Sequence, residues 1–415
     1  MLASSGISES AKRRGLITIL ATTFLMWAGF FMVIPLISVY YVDKLGWAAA
    51  SIGLVLAVRQ FTQQGLTPIS GVLADRIGAK GLICSGLLVR SMGFGLMAWA
   101  DTFPLLLLSA VLAALGGSMF ESPKQAAVAA LTDETNRSRY YSLSGVVSGL
   151  GLTLGAQMGV LLLGFDFSLV ALGAGVCFFC TFLVTLVFLP PVKVSTEAIE
   201  GSALTYGVKL ALRDRPFMLF NILVMGYWFM WVQLTISLPL AAKAIGGNAE
   251  TVGLVYAINS GMSIVLQYPL LRLASRWLRP LPILVIGVVT MALGLGGIAL
   301  ANNVLALALC VVIFAAGALL AMPSQQTVAA NLANPAALGS YFGVSSLALA
   351  IGGGVGNLSG GLLYDLGKQL AFPELPWLVF CLVGLAAGTG LGVMASHQRR
   401  HEVTEAQRPD LATAA

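Results

Sequence analysis

Long apolar stretches separated by short polar connections dominate the pattern along this 415-residue chain. Twelve of them approach the roughly 20 residues that a helix needs to cross the hydrocarbon core of a bilayer. Backbone polar groups in lipid must be satisfied within their own segment, so we expect helices rather than open strands. The predicted spans cover residues 16–41, 50–70, 81–100, 103–123, 140–163, 167–189, 217–241, 250–272, 281–300, 304–323, 341–363 and 376–396.

The second half of the chain repeats short motifs of the first half at a spacing of about 200 residues. Ser51-Ile52-Gly53-Leu54-Val55 returns as Thr251-Val252-Gly253-Leu254-Val255, and Pro123-Lys124-Gln125 returns as Pro323-Ser324-Gln325. Because the repeated unit is itself apolar, we predict an all-α membrane protein with twelve transmembrane helices in two pseudo-symmetric six-helix bundles. Such a pair of halves is typical of transporters that bind a substrate between them.

One long polar interval, opening with Pro190-Pro191, divides the chain internally. We predict that it links the two bundles and that residues 203–212 form an amphipathic helix at the membrane surface. The predicted divisions are a tail at 1–15, a bundle at 16–189, a linker at 190–216, a bundle at 217–396 and a tail at 397–415.

Composition and charge support a membrane-spanning chain. Hydrophobic residues make up 58% and charged residues 10% of the sequence, whereas a soluble chain carries about 25% charged residues. Most lysines and arginines fall on the side of the N-terminus, and only Lys44, Lys243 and Lys368 fall in loops of the other side. This bias predicts that both termini are cytoplasmic. The basic residues form no clustered face, so we expect no nucleic-acid partner, and no spacing predicts a metal site or a cofactor.

The connection between the second and third spans carries a specific motif, Gly71-Val72-Leu73-Ala74-Asp75-Arg76-Ile77-Gly78-Ala79-Lys80. It resembles the loop signature of the major facilitator superfamily, with Ala79 in place of one basic residue. In that family the loop acts at the cytoplasmic gate, through Gly71, Asp75, Arg76, Gly78 and Lys80 here. The resemblance implies that Asp75 docks near Gly339 and Ser340 at the start of the eleventh span.

A further resemblance, to multidrug transporters of the drug:proton antiporter branch, covers nearly the whole chain. It is carried by Arg59-Gln60-Phe61, Gly116-Gly117-Ser118-Met119-Phe120, Gly339-Ser340-Tyr341-Phe342-Gly343 and Asp365-Leu366-Gly367-Lys368, among other segments. It implies an inner-membrane exporter of small molecules, run by the proton gradient and monomeric.

Two spans carry glycine runs. The fifth has Gly151, Gly155 and Gly159, and the eleventh has Gly352 and Gly356 among its glycines. Small residues let helices approach closely, and packing explains the fifth-span run at least as well as a direct antiport role. We expect the eleventh-span run to form an interface on which the halves rock.

Proton coupling needs a group that alternates between protonated and ionised forms. Glu121 is the one acid in the interior of a predicted span, two residues before Pro123, which we expect to end or kink the fourth span. Glu121 either carries the proton or pairs with Lys124 or a loop arginine. Arg59 is an intramembrane charge and therefore a functional candidate by default, and Asp75 completes the candidate set.

Polar and aromatic residues predict a substrate cavity between the halves. Gln60, Gln63 and Gln64 share one helical stripe beside Arg59. Aromatic faces suit lipophilic and cationic compounds, although each ring has packing or the membrane interface as an alternative place. The cavity candidates are Trp27, Phe31, Gln60, Gln63, Gln64, Tyr227, Trp231, Tyr256 and Asn259.

These observations predict a proton antiporter that exports small amphipathic compounds by alternating access. The alternatives are an exporter of one metabolite, siderophore or lipid, and a receptor or assembly partner that transports nothing. An enzyme is not expected, because no nucleophile–base pair or polar catalytic cluster stands out.

Overall fold

The computed structural model describes residues 9–77, 79–132, 134–190, 201–334 and 338–406, and helices account for nearly all of them. The helices are α1 (Glu9–Ser38), α2 (Ala49–Ile77), α3 (Ala79–Leu96), α4 (Phe103–Leu131), α5 (Glu134–Leu163), α6 (Phe167–Phe188), α7 (Gly201–Arg213), α8 (Arg215–Trp231), α9 (Ser237–Gly246), α10 (Glu250–Trp277), α11 (Pro280–Gly297), α12 (Val304–Leu332), α13 (Leu338–Gln369) and α14 (Leu375–Ala406).

Helix length and apolar composition make the chain a multi-pass membrane protein. Eleven helical segments of the described ranges are long and apolar enough to cross a membrane. The twelfth is α2, which has 29 residues but carries Arg59 and three glutamines that lower its mean hydropathy. Helices α1–α6 form one bundle and α8–α14 the other, and the predicted fold class is confirmed.

Several helices continue past the predicted spans on the side of the two chain termini, here called the proximal side. Helix α4 runs through Pro123 to Leu131, and α12 runs through Pro323 to Leu332. Of the two alternatives for Pro123, an end of the fourth span is therefore wrong, and a kink stays a prediction. Proline is tolerated within membrane helices because neighbouring helices and polar side chains satisfy the carbonyl groups that it frees.

The seventh span is broken, whereas the sequence predicted one helix over 217–241. Helix α8 ends at Trp231, a 3-10 turn covers Val232–Leu234, and α9 begins at Ser237. Gln233 lies in this break, and its Nε2 donates to the carbonyl of Phe229 at 2.8 Å and to the carbonyl of Gly356 at 3.0 Å. A polar side chain thus satisfies backbone oxygens at membrane depth.

The same glycine-mediated helix contact occurs within each of the two bundles, which displays the pseudo-symmetry that the sequence predicted. A Cβ on Gly86 would lie 2.8 Å from the carbonyl oxygen of Gly116, so α3 and α4 touch through backbone. In the second bundle, a Cβ on Gly287 would lie 2.8 Å from the carbonyl oxygen of Gly317, at the α11–α12 contact. The equivalent positions are about 200 residues apart, as expected for a duplicated unit.

The linker helix α7 covers the region where the sequence predicted an amphipathic helix. Its Ala211 is buried in a small apolar cluster with Phe217 and Tyr341. The hydroxyl of Tyr341 donates to Oδ2 of Asp214 at 2.9 Å, just after α7. These contacts attach the end of the linker to the second bundle.

Candidate functional site

A buried arginine lies in the middle of α2 and is held by glutamines of the same helix. Arg59 is only 8% exposed. Its Nη1 donates to Oε1 of Gln63 at 3.2 Å, and its Nη2 donates to Oε1 of Gln60 at 3.1 Å. The guanidinium carbon lies 5.2 Å from the ring centroid of Phe30, which is within cation–π range. Two glutamines of the predicted stripe, Gln60 and Gln63, thus bind the neighbouring Arg59, while the half-buried Gln64 follows them on α2.

A second buried arginine, Arg90 of α3, reaches the same region. It is 4% exposed, and Gly117 of α4 provides its space. A Cβ on Gly117 would overlap Nη1 of Arg90 and lie 2.9 Å from Cδ of Gln63. The Arg90 guanidinium carbon lies 5.0 to 5.7 Å from four ring centroids, those of Phe30, Phe94, Phe120 and Phe178. We call Arg59, Gln60, Gln63 and Arg90 the arginine cluster.

An aromatic row crosses from the first bundle to the second next to this cluster. Trp27 stacks on Phe31 with ring centroids 5.4 Å apart, and Phe31 lies 5.6 Å from Tyr256 of α10. The Tyr256 hydroxyl donates to the carbonyl of Leu234. Trp27 and Asn259 are partly exposed, whereas Phe31 and Tyr256 are buried. The row therefore joins the bundles. Trp27, its partly exposed member, and Asn259, three residues after Tyr256, are the side chains available to a ligand.

The aromatic residues of α8 form a separate chain of rings. Tyr227 lies 4.8 Å from Trp228, and Trp228 lies 5.7 Å from Trp231. Tyr227 is fully buried, and its hydroxyl has no hydrogen-bond partner among the described residues. Trp231 is partly exposed. In this conformation Tyr227 supports the wall of the second bundle from behind.

The two bundles meet closely on the side opposite the chain termini, here called the distal side. Asp365, near the end of α13, accepts hydrogen bonds from the backbone N–H of Ala49 at 3.0 Å and of Ala50 at 2.7 Å. These are the first residues of α2, so a carboxylate of the second bundle caps a helix of the first. Lys243 pairs with Asp43 across the same side at 3.4 Å.

A second helix pair, α5 and α10, closes the other flank of the distal side. Nε2 of Gln157 donates to the carbonyl of Gly253 at 3.0 Å. The hydroxyls of Thr153 and Ser260 are in hydrogen-bond contact. The sequence analysis missed this pair. Gln157 and Asn357 occupy equivalent repeat positions, but Asn357 lies against Gly53 through its backbone carbonyl, and its side chain accepts a hydrogen bond from Thr235.

Toward the proximal side the same helix pairs separate. Phe61 of α2 still contacts Gly354 of α13. Farther toward the proximal side, a Cβ placed on Gly65, Gly343 or Gly145 would have no described atom within 4 Å. Within the described part of the chain, the space between the bundles is therefore closed distally and open proximally, and Arg59 lies close to the level at which contact ends.

Asp166 differs from Asp365 because it caps a helix of its own bundle. It precedes α6 and accepts a hydrogen bond from the N–H of Phe167 at 2.8 Å. A hydrogen bond from the Ser168 hydroxyl holds the pKa of Asp166 below its ordinary value. Asp166 therefore stabilises one helix end through partners within its own bundle.

The glycine runs pack helices within each bundle. Gly155 and Gly159 of α5 lie against the carbonyl oxygens of Ala28 and Met32 of α1. A Cβ on Gly151 would likewise lie 2.7 Å from the carbonyl oxygen of Phe24. In the second bundle, Gly352 and Gly356 lie against the carbonyl oxygens of Met225 and Phe229 of α8. The contacts between bundles come from a different face of α13, through Gly354 and Gly361.

Comparison with known proteins decides the family. The model of the Major Facilitator Superfamily matches residues 19–357 and 228–410. The chain belongs to this superfamily. A multidrug resistance protein MdtH from Sodalis glossinidius is 38% identical over 396 residues, covering 95% of this chain and 96% of the relative. The MdtH of Aeromonas hydrophila is 39% identical over 378 residues, covering 91% and 94%.

Solved structures agree on the fold of this superfamily member. A variant of the nucleoside transporter NupG superposes with a TM-score of 0.79 at 14% identity, covering 91% of this chain and 99% of that one. A POT family transporter in complex with a thioalcohol-conjugated peptide gives 0.76 at 16% identity, covering 92% and 96%. At such identities the likeness concerns the fold alone. Membership makes the chain a transporter of small molecules rather than an enzyme, and the predicted family resemblance is confirmed.

Part of the superfamily's loop signature lies outside the described residues. This applies to Gly78 and to the side chains of Asp75 and Arg76, and likewise to the side chain of Glu121. Gly71 belongs to α2 and Lys80 to the first turn of α3. The described residues contain no group of three or more His, Cys, Asp or Glu that could hold a metal ion.

Proposed function

We propose that this chain exports small amphipathic, drug-like compounds across the bacterial inner membrane in exchange for protons, by alternating access. The observation that carries the proposal is the likeness to multidrug resistance proteins over nearly the whole chain, at 38% identity for the Sodalis protein. A likeness that covers both halves includes every helix that lines the space between them.

The arrangement of the bundles supports alternating access. The distal side is closed by Asp365 on the first turn of α2 and by the Lys243–Asp43 pair, and the proximal side is open. The bias of lysines and arginines favours a cytoplasmic proximal side. The described conformation is then inward-facing, and export requires the distal contacts to break while the proximal side closes.

The predicted divisions of the chain correspond to the parts that move during transport. Residues 16–189 and 217–396 are the two moving halves, and residues 190–216 are the cytoplasmic linker between them. A single chain contains both halves, and we therefore propose a monomer as the transporting unit.

Proton coupling is assigned to Glu121, with Arg59 and Asp75 as further participants. Antiport needs a carboxyl group that alternates between its protonated and ionised forms as the two sides open in turn. Such a group binds a proton on the outside and releases it on the inside when the two openings differ in pH. Asp75 couples that change to the proximal gate.

The test is proton movement in proteoliposomes. Purified chain in acid-loaded vesicles with a pH-sensitive dye is given a panel of cationic, neutral and anionic amphipathic compounds, and wild type is compared with Glu121→Gln. We expect compound-dependent proton efflux in wild type and at least a tenfold lower efflux rate in the variant. Arg276→Gln, which removes an exposed charge, is the matched control and should behave as wild type.

Each outcome decides one part of the proposal. Efflux retained in Glu121→Gln would keep the antiport function and reject Glu121 as the proton carrier. Transport of a single compound would favour the alternative of one metabolite, siderophore or lipid. Measurable binding with no transport of any compound would reject export and favour the non-transporting receptor.

A further inference from the structure

The charge of Arg59 is buried without a counter-ion in the described part of the chain. Arg59 is 8% exposed, and the ion pairs among the described residues are Lys12–Glu9 and Lys243–Asp43. Its Nη1 and Nη2 bind neutral amide oxygens, and its Nε has no hydrogen-bond partner. A buried cation is disfavoured unless an anion compensates it, so the described residues leave a demand for negative charge unsatisfied at this place.

Arg59 lies where a ligand between the bundles can reach it. Gln60 is one helical step from Arg59, and its Cγ would lie 3.5 Å from a Cβ on Gly353 of the other bundle. Gln63 and Gln64 are partly exposed, and the open position of Gly65 follows one turn later. The guanidinium is therefore at the closed end of the space that opens toward the proximal side.

The two glutamines can exchange their role when an anion arrives. Each amide carries an oxygen that accepts and an NH2 group that donates. In the described state both oxygens face Arg59. Rotation of the amides would turn their NH2 groups toward a bound anion and release the guanidinium for the same anion. A carboxylate suits the planar fork of an arginine, which binds it through two parallel hydrogen bonds.

The aromatic row defines the rest of the ligand. Phe30 contacts Arg59 with one face and packs edge-on against Phe31 at 5.1 Å. Trp27 stacks on Phe31 and is partly exposed. A planar ring attached to the carboxylate would lie along these aromatic faces. A cationic group at the same place would be repelled by Arg59, so the expectation of cationic cargo does not extend to this end of the space.

We propose that Arg59, assisted by Gln60 and Gln63, binds the carboxylate of an aromatic, amphipathic substrate. The proposal rests on the proposed export function, because it assigns the chemical class of its cargo. Arg59 acts as a substrate ligand, and its charge is compensated when the cargo is bound.

The experiment compares a matched pair of probes on the full chain in lipid nanodiscs. Binding of 2-naphthoate and of its uncharged counterpart 2-naphthamide is measured by calorimetry at pH 7. Wild type should bind the naphthoate at least tenfold more tightly. Arg59→Gln should bind both probes equally, Arg59→Lys should keep part of the preference, and Arg276→Gln should keep all of it.

Several results would overturn the assignment. They are equal affinity of wild type for both probes, no binding of either, tighter binding of naphthylmethylammonium, and a preference that survives in Arg59→Gln. The wild-type comparison decides alone if Arg59→Gln does not fold. Proton efflux driven by neutral or cationic compounds, without naphthoate preference, would sink this proposal and keep the export function. A preference for naphthoate without proton efflux would keep this proposal and reject antiport.

Discussion

At the scale of single residues, the packing of the arginine cluster depends on the absence of a side chain at Gly117. Gly117 places α4 so close to the cluster that any side chain would meet both Arg90 and Gln63. The four rings around Arg90 leave its guanidinium little room to move aside. A methyl group is therefore enough to disturb two charged or polar side chains at once.

We predict that Gly117→Ala destabilises the chain by about 1–3 kcal/mol through overpacking. Gly65→Ala, at an open helical position, should be neutral or gain up to about 1 kcal/mol from helix propensity. Thermal unfolding of both variants in the same detergent measures the difference. Equal melting temperatures for the pair would mean that the Gly117 contact is not tight.

At the scale of helices, one carboxylate of α13 caps the first turn of α2 at the distal end of their contact. Asp365 compensates the two leading N–H groups of α2 and the positive end of its dipole. The bond joins the two bundles, so it exists only while the distal side is closed. Asp166 makes the same kind of cap within one bundle and is a natural control.

Asp365→Asn should open the distal side more often, because the negative charge is lost and the amide offers one acceptor oxygen where the carboxylate offers two. A cap–dipole interaction of about 1 kcal/mol corresponds to a roughly fivefold shift in population. The population of the distally open state is measured by labelling Ile52→Cys with a membrane-impermeant maleimide, in a background without native cysteines. Ile52 is a fully buried position of α2. Asp166→Asn should leave the rate unchanged, and an unchanged rate in Asp365→Asn would contradict the predicted role.

The sequence predicted the helices better than the contacts between them. Apolar length located the spans, and helical spacing placed Gln60 and Gln63 beside Arg59. The break near Gln233 was missed because polar side chains satisfy the backbone there, within an apolar stretch. The partners of Asp365 could not be predicted because they are backbone N–H groups 315 and 316 residues away, which any residue except proline supplies. Tyr227 and Tyr256, predicted to line the cavity, are buried in this conformation, and sequence cannot tell a ring that faces a cavity from one packed behind it.

At the scale of the whole molecule, transport by alternating access requires the bundles to separate distally. Thr153 and Ser260 touch through their hydroxyls across the two bundles, so cysteines at these positions are placed to form a disulfide. The bond would hold α5 and α10 together and keep the distal side closed.

We predict that oxidised Thr153→Cys/Ser260→Cys loses at least nine-tenths of its transport and that a reducing agent restores it. Substrate uptake into vesicles measures both states. Each single variant under the same oxidant is the control and should transport as wild type. Full transport by the cross-linked chain would exclude separation of the bundles at this contact.

The repeated glycine contacts make one half of the molecule a reference for the other. Gly116 packs against the backbone N and Cβ of Arg90, and at the equivalent place Gly317 packs against the backbone N and Cγ of Met291. The same helix crossing therefore accommodates a charged side chain in one copy and an uncharged one in the other. Methionine is already shown to fit this crossing, and so the arginine owes its place to something other than the architecture that surrounds it.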